Sequence, residues 1–118
     1  MARLRAGRVE LLLRDAVWEE LERRGISLAV IAFSGRAGKG GKVESITHTV
    51  VDREQPGNLE RWRWPVAVVC ALEAPVWDRL GAFAGQPTIR GTVKWTVAER
   101  RLVIAGRRGD ERFEEVVR

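Results

Sequence analysis

Residues 9–21 read VELLLRDAVWEEL and residues 68–80 read VVCALEAPVWDRL. The two stretches stand half the 118-residue chain apart. Val9/Val68, Leu13/Leu72, Val17/Val76, Trp18/Trp77 and Leu21/Leu80 are identical, and Glu19/Asp78 is conservative. Self-similarity at a fixed offset marks two units built to one plan. In each, an apolar run of strand length leads into a helix whose Val, Trp and Leu fall at i, i+1 and i+4, one stripe for a core. Asp15 supplies an acceptor at the first helix start, Pro75 suits a first turn, and Gly25 and Gly85 close the two helices. On this reading Trp18 and Trp77 are matching core anchors.

Working outward, the segments after the two helices are also alike. Residues 28–34 read as a strand, 35–41 as a glycine-rich turn and 42–51 as a second strand. A third is expected at 59–64, after the breaker Gln55-Pro56-Gly57-Asn58. In the second half, residues 88–97 alternate: Ile89, Gly91, Val93, Trp95 and Val97 on one face, Arg90, Thr92, Lys94 and Thr96 on the other. Ala98-Glu99 turns into a strand at 101–106, and Gly109-Asp110 turns into another at 111–117. The expected fold is α+β, a pseudo-twofold tandem βαβββ repeat. It forms a single domain over 1–118, with halves at about 1–59 and 60–118.

That order of elements resembles one domain of the sliding DNA clamps, most closely over residues 66–117. There PVWDRLGAFAGQPTIRGTVKWTV, ERRLVIAG and ERFEEVV have the helix, long-strand and two-strand rhythm of such a domain. The resemblance implies a DNA-clamp-like architecture; a ferredoxin-like two-layer sandwich accommodates the same elements. It does not carry the clamps' function. Clamps turn basic helix faces toward the DNA they encircle. Here helix 14–24 holds three basic and four acidic residues, and helix 74–84 only Asp78 and Arg79. Such faces would not neutralise a phosphate backbone.

The chain has 21 Lys plus Arg against 16 Asp plus Glu, a net charge of +5 spread evenly over both halves. The cations are Arg throughout except Lys39, Lys42 and Lys94. This balance biases encounter toward anionic partners such as nucleic acid. A solitary Cys70 excludes an internal disulfide, and with a solitary His48 it excludes a Cys/His zinc site within one chain. No cofactor or metal is expected. Scarce Asn, Gln, Cys and Met give the composition a thermophile-like cast. The apolar run at 11–13 is too short for a signal-peptide core or a membrane span, so a cytoplasmic protein with no membrane role is expected.

Three groups of residues are candidate sites. Gly35-Arg36-Ala37-Gly38-Lys39-Gly40-Gly41-Lys42 superficially resembles a phosphate loop. In either register it lacks the required glycine or lysine, it precedes a strand, and Val43 stands where a hydroxyl residue belongs. It reads instead as a hairpin loop whose Arg36, Lys39 and Lys42 either close on a nucleic-acid backbone or merely keep a mobile turn solvated. In Arg61-Trp62-Arg63-Trp64, an extended chain puts both indoles on one face and both guanidinium groups on the other. The indoles are core, with Arg61 and Arg63 in water, or they are stacking platforms for single-stranded bases. Arg90 and Lys94, extended by Arg101, make a cationic stripe on one strand face, which a solvated sheet surface explains equally well.

His48 lacks a nucleophile and an orienting group in local reach, and reads as a partly packed, hydrogen-bonded imidazole. Cys70 reads as inert core, and Glu111, Glu114 and Glu115 as an exposed acidic edge. No catalytic signature appears. The expectation is a small binding protein, not an enzyme, that binds nucleic acid weakly through the 35–42 hairpin loop and a basic sheet face. The alternative is a protein-interaction or self-assembling module that pairs through an open sheet edge as a symmetric homodimer.

Overall fold

The computed structural model describes residues 3–6, 9–12, 14–36, 40–51, 57–59, 63–80 and 88–117. A hairpin of β1 (Arg3–Ala6) and β2 (Val9–Leu12) leads into helix α1 (Arg14–Arg23). Strands β3 (Ile26–Arg36), β4 (Gly40–Val50) and β5 (Gly57–Asn58) come next. Helix α2 (Val66–Leu80) then precedes β6 (Thr88–Thr96), β7 (Arg101–Arg108) and β8 (Glu111–Val116). The last six strands form one antiparallel sheet in the order β5-β4-β3-β6-β7-β8. The fold is therefore α+β, and its strand order is symmetric about the β3–β6 pair.

Both helices lie on one face of the sheet. The inward residues at 88–97 are those that alternation predicts: Ile89, Val93, Trp95 and Val97 are buried, while Arg90 and Lys94 are exposed. Trp95 ties the layers together. Its ring meets Trp18 of α1 edge-on at 5.0 Å, and its Nε1–H donates to the Leu72 carbonyl of α2 at 3.2 Å. Gly25 closes α1 as expected, at φ 71°, a left-handed conformation that costs glycine nothing. Gly91 and Gly106 face each other across β6 and β7. A Cβ on Gly106 would strike the Arg90 carbonyl oxygen, and one on Gly91 that of Ala105. The two backbones pass too closely there for any side chain.

The structure corrects several expectations. The strand expected within 66–72 is the first half of α2, and the two-residue β5 is the strand that stands ahead of that helix. A short apolar run reads equally as a buried strand or a buried helix segment, and this one is helical because it is continuous with the stripe beyond it. Pro75 consequently lies in the helix interior, where it deletes one backbone hydrogen bond. Cys70 is helical and half-buried. Trp18 is 3% exposed but Trp77 is 46% exposed, so the matched tryptophans are not matched in burial. In α2 the buried stripe runs through Val68, Val69, Leu72 and Val76, and Trp77 falls on the far side with Val66 and Cys70. Gly35, Gly40 and Gly41 are ladder residues, since β3 and β4 stay paired out to Arg36 and Gly40. Gly85, expected to end α2, lies outside the described residues.

At the C-terminal end of α1, buried Glu20 accepts from Arg24 Nε at 2.8 Å and from Arg23 Nε at 3.3 Å. Burial alone would raise its carboxyl, but the hydrogen bonds and charges of Arg23 and Arg24 outweigh that and hold it below the ordinary Glu range. A carboxyl lowered on folding stabilises the protein above its unfolded pKa, and that stability is lost as pH falls through the folded value. Glu20→Gln should therefore lower the urea midpoint at neutral pH and match the wild type at strongly acidic pH. A midpoint difference that stays constant with pH would contradict this.

Candidate nucleic-acid interface

The face of the sheet turned away from the helices carries no covering element among the described residues. Strand alternation and ladder register decide which side chains meet there. Ser34 pairs with Lys42 on one side and with Arg90 on the other; Arg90 pairs with Arg107, and Arg107 with Arg112. Lys42, Arg90, Arg107 and Arg112 thus stand in one row across β4, β3, β6, β7 and β8, and all four are exposed. Four strand spacings of about 4.8 Å make the row about 19 Å long. Arg36, opposite Thr88, continues the face beyond Ser34 and Arg90 toward the end of the sheet. Lys94 and Arg101 lie on the same face farther along β6 and β7.

A shallow cavity of about 640 Å³ opens over the β6–β8 end of the row, lined by Arg90, Thr92, Arg107, Arg112 and Glu114 beside the Gly91–Gly106 pair. No carboxylate among the described residues pairs with Arg90, Arg107 or Arg112. Across β3, Ser34 Oγ donates to Glu44 at 2.8 Å, which occupies that acid with a neutral partner. Like charges opposite one another on adjacent strands weaken a sheet unless something answers them. The guanidinium fork suits a phosphate oxygen pair, and three such forks lie side by side here.

The structure brings Arg36, Lys42, Arg90 and Lys94 onto this one face. Lys39 and Arg61, like Trp62, lie outside the described residues. Arg63 is not brought to the row. It is exposed in the short turn before α2, and the next residue, Trp64, packs on the helix side. Trp64 is half-buried there, with the Arg24 guanidinium 4.1 Å from its ring centroid and the His48 ring 6.2 Å away. It is therefore not an open stacking platform. The hydrogen bond expected at His48 is missing on one side of the ring: its buried Nδ1 has no partner among the described residues. Reading the residues one strand at a time misses Arg107 and Arg112. The signal is present in the turns: folding the chain back at residues 97–100 sets Arg107 opposite Arg90, and folding it at Gly109-Asp110 sets Arg112 opposite Arg107.

No protein-family model, curated protein or solved structure matches the chain. The clamp likeness thus rests on the order of elements alone. No helix among the described residues is long and apolar enough to cross a membrane.

Proposed function

We propose that the chain binds nucleic acid through the open face of its sheet and grips the sugar–phosphate backbone, not the bases. One observation carries this reading: Arg90, Arg107 and Arg112 share a register on three adjacent strands with no carboxylate partner among the described residues. Lys42 and Arg36 extend the charge over β4 and β3. At about 3.4 Å of rise per nucleotide, a row of this length spans about five phosphates of one strand. No aromatic side chain stands on the described part of this face, so base stacking has no platform and the contact is independent of sequence.

The symmetric strand order supports reading the halves as a tandem repeat of clamp-like architecture, with the sheet and not the helices as the basic surface. Fluorescence anisotropy with labelled single-stranded DNA, duplex DNA and RNA tests the proposal. Four to six engaged cations give log K against log salt a slope of about −4 to −5 on duplex DNA. Absence of binding to all three at low salt would overturn it, as would an affinity indifferent to salt.

A further inference from the structure

The outer strand β8 ends the sheet, and no described strand pairs with its free side. The Val117 N–H donates to the Leu102 carbonyl at 2.8 Å, which fixes the direction of every backbone group along this strand. In an antiparallel ladder such bonds alternate, so Glu111, Phe113 and Glu115 turn their N–H and C=O toward β7. Arg112, Glu114 and Val116 turn theirs outward, where no described strand meets them. The strand carries no proline and pairs with β7 without a bulge, so charge alone guards this edge, through Glu111, Arg112, Glu114 and Glu115. At the opposite edge β5 is only two residues long.

We infer that β8 pairs with β8 of a second copy, antiparallel, with Arg112 opposite the partner's Glu114. Only residues with outward backbone groups can form the hydrogen-bonded pairs, which restricts the register to steps of two. One step sets Glu114 against the partner's Glu114, and another sets Arg112 against the partner's Arg112. The register between them sets Arg112 against Glu114 twice, once on each side of the axis, and each pair exchanges both backbone hydrogen bonds. Phe113 then faces the partner's Phe113 across the axis on the helix side, at the close separation of a non-hydrogen-bonded pair. Glu111 meets the partner's Glu115 on that side, and Arg108 stands opposite Glu111 in the β7–β8 ladder to answer the charge.

Opposed residues of an antiparallel pair share a face, so the twofold axis runs perpendicular to the sheet. The two sheets become one of twelve strands, with both cationic faces on the same side. Arg112 is then answered by the partner's Glu114, and Arg90 and Arg107 of each copy remain open. The pairing itself needs no nucleic acid.

Light scattering on the nucleic-acid-free protein should show the mass rising with concentration from 13.3 kDa toward twice that value. Arg112→Glu and Glu114→Arg should each weaken dimerisation about tenfold, since each turns two attractions into repulsions. The double variant R112E/E114R should restore it. Both residues are exposed, and a circular-dichroism spectrum confirms that each variant is folded. Independently of any variant, the Arg112 and Glu114 amides should gain exchange protection as concentration rises, while Phe113 and Glu115 are already protected at low concentration. A monomer at every concentration overturns the inference, as does a double variant that fails to recover.

Discussion

Reversing Arg90 and Arg107 together, R90E/R107E, should lower affinity for duplex DNA at least about 100-fold at about 50 mM salt and flatten the salt slope by about 2. The magnitude comes from counterion release. Each phosphate contact contributes about 0.9 to the slope, and at that salt concentration each is worth about one decade of binding constant. Two contacts removed give two decades, and two added carboxylates repel the phosphates still in reach. Both side chains are exposed and stand outside the core, so folding should survive the change. Arg63→Glu is the discriminating control. It changes the charge by the same amount per residue but lies in the turn before α2, beside a residue that packs on the helix side. Affinity should stay within about twofold of the wild type there, because Arg63 stands in the turn before α2 and not in the cationic row. A loss at Arg63 as large as that at Arg90 and Arg107 would move the interface off the sheet.

The row that this experiment probes is half legible in the sequence. Alternation along 88–97 places Arg90 and Lys94 on a common face and Trp95 inside, and the structure keeps all three where alternation puts them. Period two is strong evidence where every second residue is large and apolar. The lateral neighbours are not legible in the same way. Which residue lies beside Arg90 depends on pairing, and pairing is a non-local property set by turn length. The turns at 97–100 and at Gly109-Asp110 are recognisable, and counting back from them gives Arg107 and Arg112. The glycine-rich segment misleads for a related reason. Glycines suggest a loop, yet Gly35, Gly40 and Gly41 belong to the β3–β4 ladder, and Gly35 is buried. The charges at 36 and 42 thus sit on strand ends and are held by the ladder.

The half-length repeat misleads in a more instructive way. It puts the first helix in its place but starts the second at 74, where α2 starts at Val66; the strands after the two helices stand in the symmetric order β5-β4-β3-β6-β7-β8. It also predicts equal burial for Trp18 and Trp77, which the structure does not support. Sequence position along a helix does not determine which side meets the sheet. That depends on where the helix begins and on its packing partners, and α2 begins well before the matched tryptophan. At the sheet centre it is Trp18 that packs beside Trp95, and Trp77 has no equivalent place.

The stability consequences of that asymmetry are large. Trp95→Ala should cost about 3–5 kcal/mol, the range for removing a large aromatic from a packed core. Set against a total of about 5–15 kcal/mol for a small folded chain, this brings the protein near its unfolding threshold. The loss has two parts. One is the cavity opened between Trp18, α2 and β6, where the side chain is 1% exposed. The other is the hydrogen bond to the Leu72 carbonyl. Trp95→Phe separates them: it keeps a ring against Trp18 and deletes the donor, and should cost about 1–2 kcal/mol. Trp77→Ala should cost clearly less, about 1–2 kcal/mol, because nearly half of that residue is already in water. Urea midpoints of the three variants, read with unchanged m-values, decide the matter. If Trp77→Ala proved as costly as Trp95→Ala, α2 would have to be rotated about its axis so that Trp77 meets the sheet. The burial that the sequence repeat predicts would then be the correct one.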